Sequence, residues 1–588
     1  MDDLQAVFAR AEQAFVAGRL DAALTDLAQV QRRTGGHAAA FHLLGLIERK
    51  RGNPAAARSA YQSALALTPA NGEINNNYAN LLKDSGEFET ALLYYDRALA
   101  SAPALHTARY NRALLLQRLG RQEEALTELD IVAAARPDDG KIHAARGTAL
   151  RALSRLGEAA AAYDRALSID PARTVALNGR ALVATQRGEA RTSELYRDAL
   201  AAAPRDREMC LGLASALSEE NSPEGLEILA TQLVLEPSWW AGHAALARAR
   251  WEAGESTTFT SELQRALEML PNARDGWLTY ANALASTDQS AAAADAAAAG
   301  RQATGGDVTL GLLEALQASE AGQLTRAERL YEELPADLPG RSIHEMRHRL
   351  RIGDYRSAAA LADQARVEAP WDVGVWAMTG IVWRLRDDPR ASWLLEQAEF
   401  IATQDLDIKA ESLANLASRL RGLHRSRAHP IGQSLRGGTQ THGRLFERED
   451  REIVALRMQV VGAVQRYWEA LPALDHGHPL LRNRTAVPRL AGSWSVRLTD
   501  GGFHIAHMHP HGVLSSACYI VVPEARSEYQ GWLEIGGAPD GLDLPITPLL
   551  RIAPKPGRIV LFPSYCYHGT RPFAEGERLS VAFDVNVD

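Results

Sequence analysis

At 588 residues the chain is long enough for about four ordinary domains, which excludes a single compact core. Hydrophobic residues make up 46% and charged residues 23%, the balance of a soluble chain that buries a core, so global disorder is excluded too. A net charge of -8 offers no basic surplus for phosphate contacts, and Cys210, Cys518 and Cys566 form no CxxC pair, which argues against a nucleic-acid binder, a disulfide framework and a thiolate zinc site.

The acidic start Met1-Asp2-Asp3-Leu4 is unlike a basic export leader, and no run reaches 18 apolar residues. The expectation is a cytoplasmic protein in a reducing compartment, with no membrane partner. Two asymmetries divide the chain. Ten of the 17 histidines lie in residues 421–588, and all 11 tryptophans come at or after Trp239.

From the N-terminus onward one unit repeats. Pro69, Pro103, Pro137, Pro171, Pro204, Pro237 and Pro271 are spaced 34, 34, 34, 33, 33 and 34 residues apart. Aligned on them, Ala57, Ala91, Ala125 and Ala159 stand twelve before, Tyr61, Tyr95 and Tyr163 eight before, and Ala64, Ala98 and Ala166 five before. Gly52, Gly86, Gly120 and Gly188 stand 16 or 17 before, where a turn between two helices needs them. Small residues let two helices approach, a tyrosine fills the gap, and proline stops the second helix.

This pattern resembles the tetratricopeptide repeat. Weaker copies continue through Pro335 and Pro370, with Trp277 and Trp376 in equivalent places, read as packing residues. The resemblance implies eleven or twelve helical hairpins over residues 1–420, stacked in a superhelix whose groove takes a protein or peptide. Asn77, Asn111 and Asn178 are read as occupying one place in three first helices, the place that usually faces the groove. An amide there either bonds a peptide backbone or merely tolerates the packing.

Residues 421–435 read as a polar, basic linker, after which Arg436-Gly-Gly-Thr-Gln-Thr441 leads into an amphipathic helix from about Glu449 to Leu471. Strands follow at Ser493–Leu498, Phe503–His509, Leu514–Val522, Trp532–Ile535, Arg558–Phe562 and Leu579–Val585. That spacing suits a jelly roll, the double-stranded β-helix, over residues 436–588. The expected fold is therefore multidomain α + β.

Period-two alternation along Phe503-His-Ile-Ala-His-Met-His-Pro-His511 puts His507, His509 and His511 on one strand face and His504 on the other. A distant His568 completes a three-imidazole face with open positions, which suits Fe(II). Trp494 and Tyr519 line a pocket or fill the sandwich core.

The segment resembles the 2-oxoglutarate/Fe(II)-dependent oxygenases, in the bacterial group where such a domain follows tetratricopeptide repeats. The resemblance runs through Gly492-Ser-Trp-Ser-Val496, His507-Met-His-Pro510, Gly531-Trp-Leu-Glu534, Leu561-Phe-Pro-Ser564, His568-Gly-Thr570 and Arg578-Leu-Ser-Val-Ala-Phe583. It implies that His507, His509 and His568 bind Fe(II), and that Arg578, with Ser580 and Tyr519, binds 2-oxoglutarate, O2 being the third reactant. The broader superfamily has Asp or Glu where this chain has His509. Either His509 ligates as a neutral imidazole, or His511 or Glu534 takes that place. The resemblance implies a dioxygenase that hydroxylates a protein or peptide side chain held by the repeats. The alternatives are a small-molecule hydroxylase and a non-catalytic repeat scaffold with a degenerate jelly roll.

Overall fold

The computed structural model describes residues 2–220, 222–425, 430–441, 444–524 and 527–587. Residues 426–429 of the expected linker lie outside the described residues. Two compact units divide the chain, residues 1–183 and 184–588.

In the first unit the 34-residue rhythm becomes helical hairpins. Ala38–Lys50 pairs with Pro54–Leu67, Gly72–Asp84 with Phe88–Ser101, His106–Arg118 with Gln122–Ala135, and Gly140–Ala152 with Leu156–Ile169. Gly52, Gly86 and Gly120 turn the first three of these hairpins at φ of +78°, +82° and +78°, a conformation that side chains resist, and Ser154 turns the fourth at +57°. Each repeat proline follows its second helix by two residues and cannot extend it. Tyr61, Tyr95 and Tyr163 are fully buried in the hairpins. The fit is close: a Cβ on Gly147 would stand 2.7 Å from the ring of Tyr163.

The second unit begins with more hairpins, among them Arg274–Ala285 with Ser290–Ala303, Val308–Glu320 with Leu324–Glu333, and Arg341–Arg351 with Tyr355–Glu368. The hairpins end with Val373–Leu385 and Arg390–Leu395, short of residue 420. Trp277 and Trp376 each donate their indole N–H to the carbonyl of the proline six residues earlier, at 2.7 and 2.8 Å. Asn75 donates its side-chain amide in the same way in the first unit. The position is a structural one, closing the loop before a first helix.

Among the described residues nine strands form two antiparallel sheets. They are β1 (Ala402–Asp405), β2 (Leu435–Gln440), β3 (Pro488–His504), β4 (Leu514–Val521), β5 (Leu533–Ile535), β6 (Leu550–Ile552), β7 (Arg558–Pro563), β8 (His568–Thr570) and β9 (Arg578–Val587). The larger sheet has the order β1-β7-β4-β9-β3-β2 and the smaller β6-β5-β8. The helix Arg451–Ala470 covers the larger sheet, burying Leu456, Val460 and Tyr467 in the same core as Phe562 and Phe583.

Three local differences from the expected pattern matter. The segment Arg436-Gly-Gly-Thr-Gln-Thr441 is itself mostly strand, β2, with an irregularity between Arg436 and Gly438. A Cβ at Gly438 would lie 2.2 Å from the Arg497 carbonyl, so glycine is what lets β2 reach β3. β1 pairs with β7 and extends the larger sheet from a segment expected to be repeat. The expected strand Phe503–His509 stops at His504: the chain bends at Ala506, so the N–H groups of Ile505, His507 and His509 go to Ser434, His568 and Ser564 in place of one continuous ladder.

Repeat helices of the second unit hold the loop between β5 and β6 by its backbone. Arg347 donates to the Asp540 carbonyl at 2.5 Å and Arg351 to that of Gly541 at 3.3 Å. Arg384 donates to the carbonyls of Gly536 and, at 2.8 Å, Thr547. Glu320 pairs with both Arg347 and Arg351 and fixes their forks.

Candidate metal centre

Although the strand ends at His504, one isolated antiparallel bridge follows, His507 to His568. Its two backbone hydrogen bonds, 2.9 and 2.8 Å, bring residues 61 apart in sequence side by side. His509 is placed by the turn two residues later. Ligand nitrogens of His507, His509 and His568 all lie within 4.8 Å of one another.

The outer nitrogen of each ring has a fixed partner. His507 Nδ1 is 2.9 Å from the Ile505 carbonyl, His568 Nδ1 is 3.0 Å from the Cys566 carbonyl, and His509 Nδ1 is 2.5 Å from Asp584 Oδ1. Carbonyl and carboxylate oxygens only accept, so each Nδ1 carries a proton, and in the neutral ring the Nε2 then presents a lone pair. His507 Nε2 and His509 Nε2 face one another at 3.2 Å. In the neutral Nδ1–H tautomers two lone pairs so placed repel unless a cation lies between them. Nitrogens about 2.1 Å from a divalent metal and at right angles stand about 3 Å apart, so the donor set fits a metal.

His507, His568 and His504 are held neutral. Burial, with His509 beside it, pushes His507 down to about 3, and burial takes His568 and His504 well below the usual imidazole range. His504 does not face away as the alternation implied. It lines the same cavity, stacks on His507 at 5.8 Å between ring centroids, and hydrogen-bonds Ser434 at 3.0 Å. The strand's end at residue 504 breaks the alternation on which that expectation rested.

A cavity of about 870 Å³ opens over the three imidazoles. Arg578, Ser580, Ala582 and Asp584, alternate residues of β9, all line it. Arg578 is 2% exposed; its Nη1 donates to the Gly531 carbonyl at 3.2 Å, while its Nε has no partner and no carboxylate among the described residues pairs with it. Burial lowers its pKa, so the cation lacks compensation. Tyr519 is not part of the lining. It lies against Arg578, and its buried hydroxyl is unpartnered. A guanidinium fork with an orphaned buried N–H fits a carboxylate group.

Other expected residues fall elsewhere. His511 is exposed, at the cavity's edge, outside the three-imidazole cluster. Glu534 is paired with Arg551 and Arg571, on the opposite strand face from cavity-lining Leu533. Trp494 lines the cavity, its ring 5.5 Å from that of His509. Asn77 is 2.8 Å from His42 Nε2, and Asn111 donates to Asn76 at 3.1 Å. Asn178 stands seven residues after its proline and Asn77 and Asn111 eight, so the equivalent of Asn178 is Asn76, which joins the others by donating to Asn77.

Sequence reasoning missed Asp584, although period two counted from Arg578 and Ser580 reaches it. It also missed Asn282, Ser286 and Gln317, residues of the repeat region that line the cavity. Ser286 accepts from the Gly432 N–H at 3.1 Å, and Asp288 pairs with Arg436, fastening the start of β2 beside the opening.

Residues 492–584 match the family described as "Putative 2OG-Fe(II) oxygenase", a span that contains all three histidines, Arg578, Ser580 and Asp584. Residues 8–72 match the family described as tetratricopeptide repeat, and residues 78–180 the one described as the N-terminal TPR repeats region of Psidin. No curated protein matches the chain. Among solved structures, a tetratricopeptide repeat protein from Parabacteroides merdae is 20% identical over 39% of this chain and 92% of that one, with a TM-score of 0.33. The C-terminal part of a repeat protein from Cytophaga hutchinsonii is 12% identical over 41% and 99%, with a TM-score of 0.35. YrrB, titled a TPR protein with an unusual peptide-binding site, is 15% identical over 31% and 95%, with a TM-score of 0.29. The chain thus carries tetratricopeptide repeats in its N-terminal part and, over residues 492–584, a domain that matches the 2OG-Fe(II) oxygenase family.

Proposed function

We propose that the protein is a 2-oxoglutarate- and Fe(II)-dependent dioxygenase that hydroxylates a protein or peptide side chain. The observation that carries this reading is the convergence of three Nε2 lone pairs beside a buried arginine with an unpartnered N–H, all on one cavity. His507, His509 and His568 would hold the metal. Arg578 would take the distal carboxylate of 2-oxoglutarate, with Ser580 as hydroxyl donor and Tyr519 packed against the guanidinium.

Bound Fe(II), with 2-oxoglutarate and O2, supplies oxidative decarboxylation to succinate coupled to hydroxylation of a C–H bond. The chain's own residues do the rest. Carbonyls of Ile505 and Cys566 and the carboxylate of Asp584 orient the imidazoles. Apolar Leu533, Ala517 and Ala582 limit water in the cavity. Asn282 and Gln317 bring carboxamides, which both donate and accept, to the cavity from the repeat side. That placement favours a substrate with amide groups. The asparagines Asn77, Asn111 and Asn178 of the first unit are the proposed peptide-holding residues.

The test is anaerobic loading with Fe(II), followed by 2-oxoglutarate turnover to succinate in the wild type, His568→Ala and Arg578→Ala. The reading expects wild-type turnover and its loss in both variants, and a product 16 Da heavier in candidate peptides. A wild type that binds Fe(II) but never consumes 2-oxoglutarate, with peptides present, would favour the scaffold reading.

A further inference from the structure

Resting on the metal reading above, we propose that Asp584 is a positioning residue that supplies, one hydrogen bond further out, the negative charge that a carboxylate ligand would have brought to this centre. Of the three imidazoles, His507 and His568 donate Nδ1–H to neutral backbone carbonyls. His509, the one standing where a carboxylate ligand is expected, donates to a carboxylate instead, at 2.5 Å. A carboxylate on Nδ1–H pushes electron density through the ring and makes Nε2 a stronger donor.

The surroundings give Asp584 no other ionic task. Among the described residues His509 is its sole charge partner. It pairs in register with Gly492 on β3, and a Cβ on Gly512 would lie 3.2 Å from its own Cβ, so glycine at 512 leaves the space beside it open. Its place on β9 follows from alternation: Arg578, Ser580 and Asp584 share one face, so one strand presents both the carboxylate-binding end of the cavity and the residue that orients the metal ligand.

The experiment uses the full chain, metal-free, with Co(II) as the probe and a competing chelator to read the dissociation constant anaerobically. Asp584→Asn keeps an acceptor oxygen and removes the charge. The expected result is Co(II) binding about 10- to 100-fold weaker than wild type, with unchanged melting of the metal-free protein. Equal affinity in wild type and Asp584→Asn overturns the proposal and leaves the metal reading standing. A wild type that does not bind Co(II) overturns the metal reading, and this proposal with it. A second measurement needs no variant to fold: proton NMR of the Co(II)-loaded wild type should show three hyperfine-shifted, exchangeable N–H signals, one from each Nδ1–H. Two signals would mean that His509 is not held as a ligand through Asp584.

Discussion

Arg578 lies over the ring of Tyr519, its guanidinium carbon 5.0 Å from the ring centroid, and each side chain keeps a buried polar atom without a partner. The ring fixes the plane of the fork. Arg578→Lys keeps a cation but loses both the planar fork and the stacking. A hydrogen bond to a charged group contributes about 1.5–3 kcal/mol, so the expected outcome is a KM for 2-oxoglutarate raised at least about tenfold, with metal affinity unchanged. Steady-state kinetics together with a metal titration check it.

Metal should stabilise the fold, because the three imidazoles converge only in the folded chain. A ligand at a hundred times its dissociation constant adds about 2.7 kcal/mol. Thermal melting with and without anaerobic Fe(II) or Co(II) should therefore show a rise of a few degrees in the wild type and none in His568→Ala. A rise in the variant equal to that of the wild type would place the metal elsewhere.

The grip of the repeats on the loop between β5 and β6 should be felt at the metal. Arg347 holds the Asp540 carbonyl, and the Asp540 N–H reaches the Ala506 carbonyl at 3.4 Å, one residue before His507. Arg347→Ala also leaves Glu320 with one cation in place of two. The expected outcome is a loss of about 1–3 kcal/mol in chemical denaturation, faster proteolysis within residues 536–549, and weaker metal binding than in the wild type.

Asp405 on β1 is bonded by Arg558 at 2.8 Å and Lys555 at 2.7 Å, which lower its pKa to about 2. A carboxylate whose folded pKa is depressed stabilises the fold above its unfolded value, about 3.9, and that stability is lost as pH falls through the folded value. Asp405→Asn should therefore melt below the wild type at pH 7, with the difference closing between about pH 4 and pH 2. The group is largely exposed, so the gap should be small and should shrink further in high salt.

The repeats were legible because their constraints are local and periodic: the glycine turn, the buried tyrosine and the terminal proline return every 34 residues. The three clustered histidines were legible from composition, since ten of the 17 histidines crowd into the C-terminal segment. What escaped has a different physical origin. β1 is four residues with alternate ones exposed, and β2 is interrupted by two glycines, so neither carries an apolar pattern. His504 was assigned to the wrong face because alternation says nothing about where a strand ends. Asn282 and Gln317 join the cavity through tertiary packing, which leaves no mark at their own positions.

The arginine grip on the loop at 536–549 reaches main-chain oxygens and no side chains of that loop. Those bonds do not depend on which side chains the loop carries, but Leu542, Leu544 and Ile546 of the same loop pack into the cluster of Met346, Leu350, Ala358 and Met378. The exposed positions that alternate with them, 543, 545 and 547, are open to change without undocking the loop, whereas the three apolar anchors are not, so the repeat side is a mount that tolerates variation at every second residue.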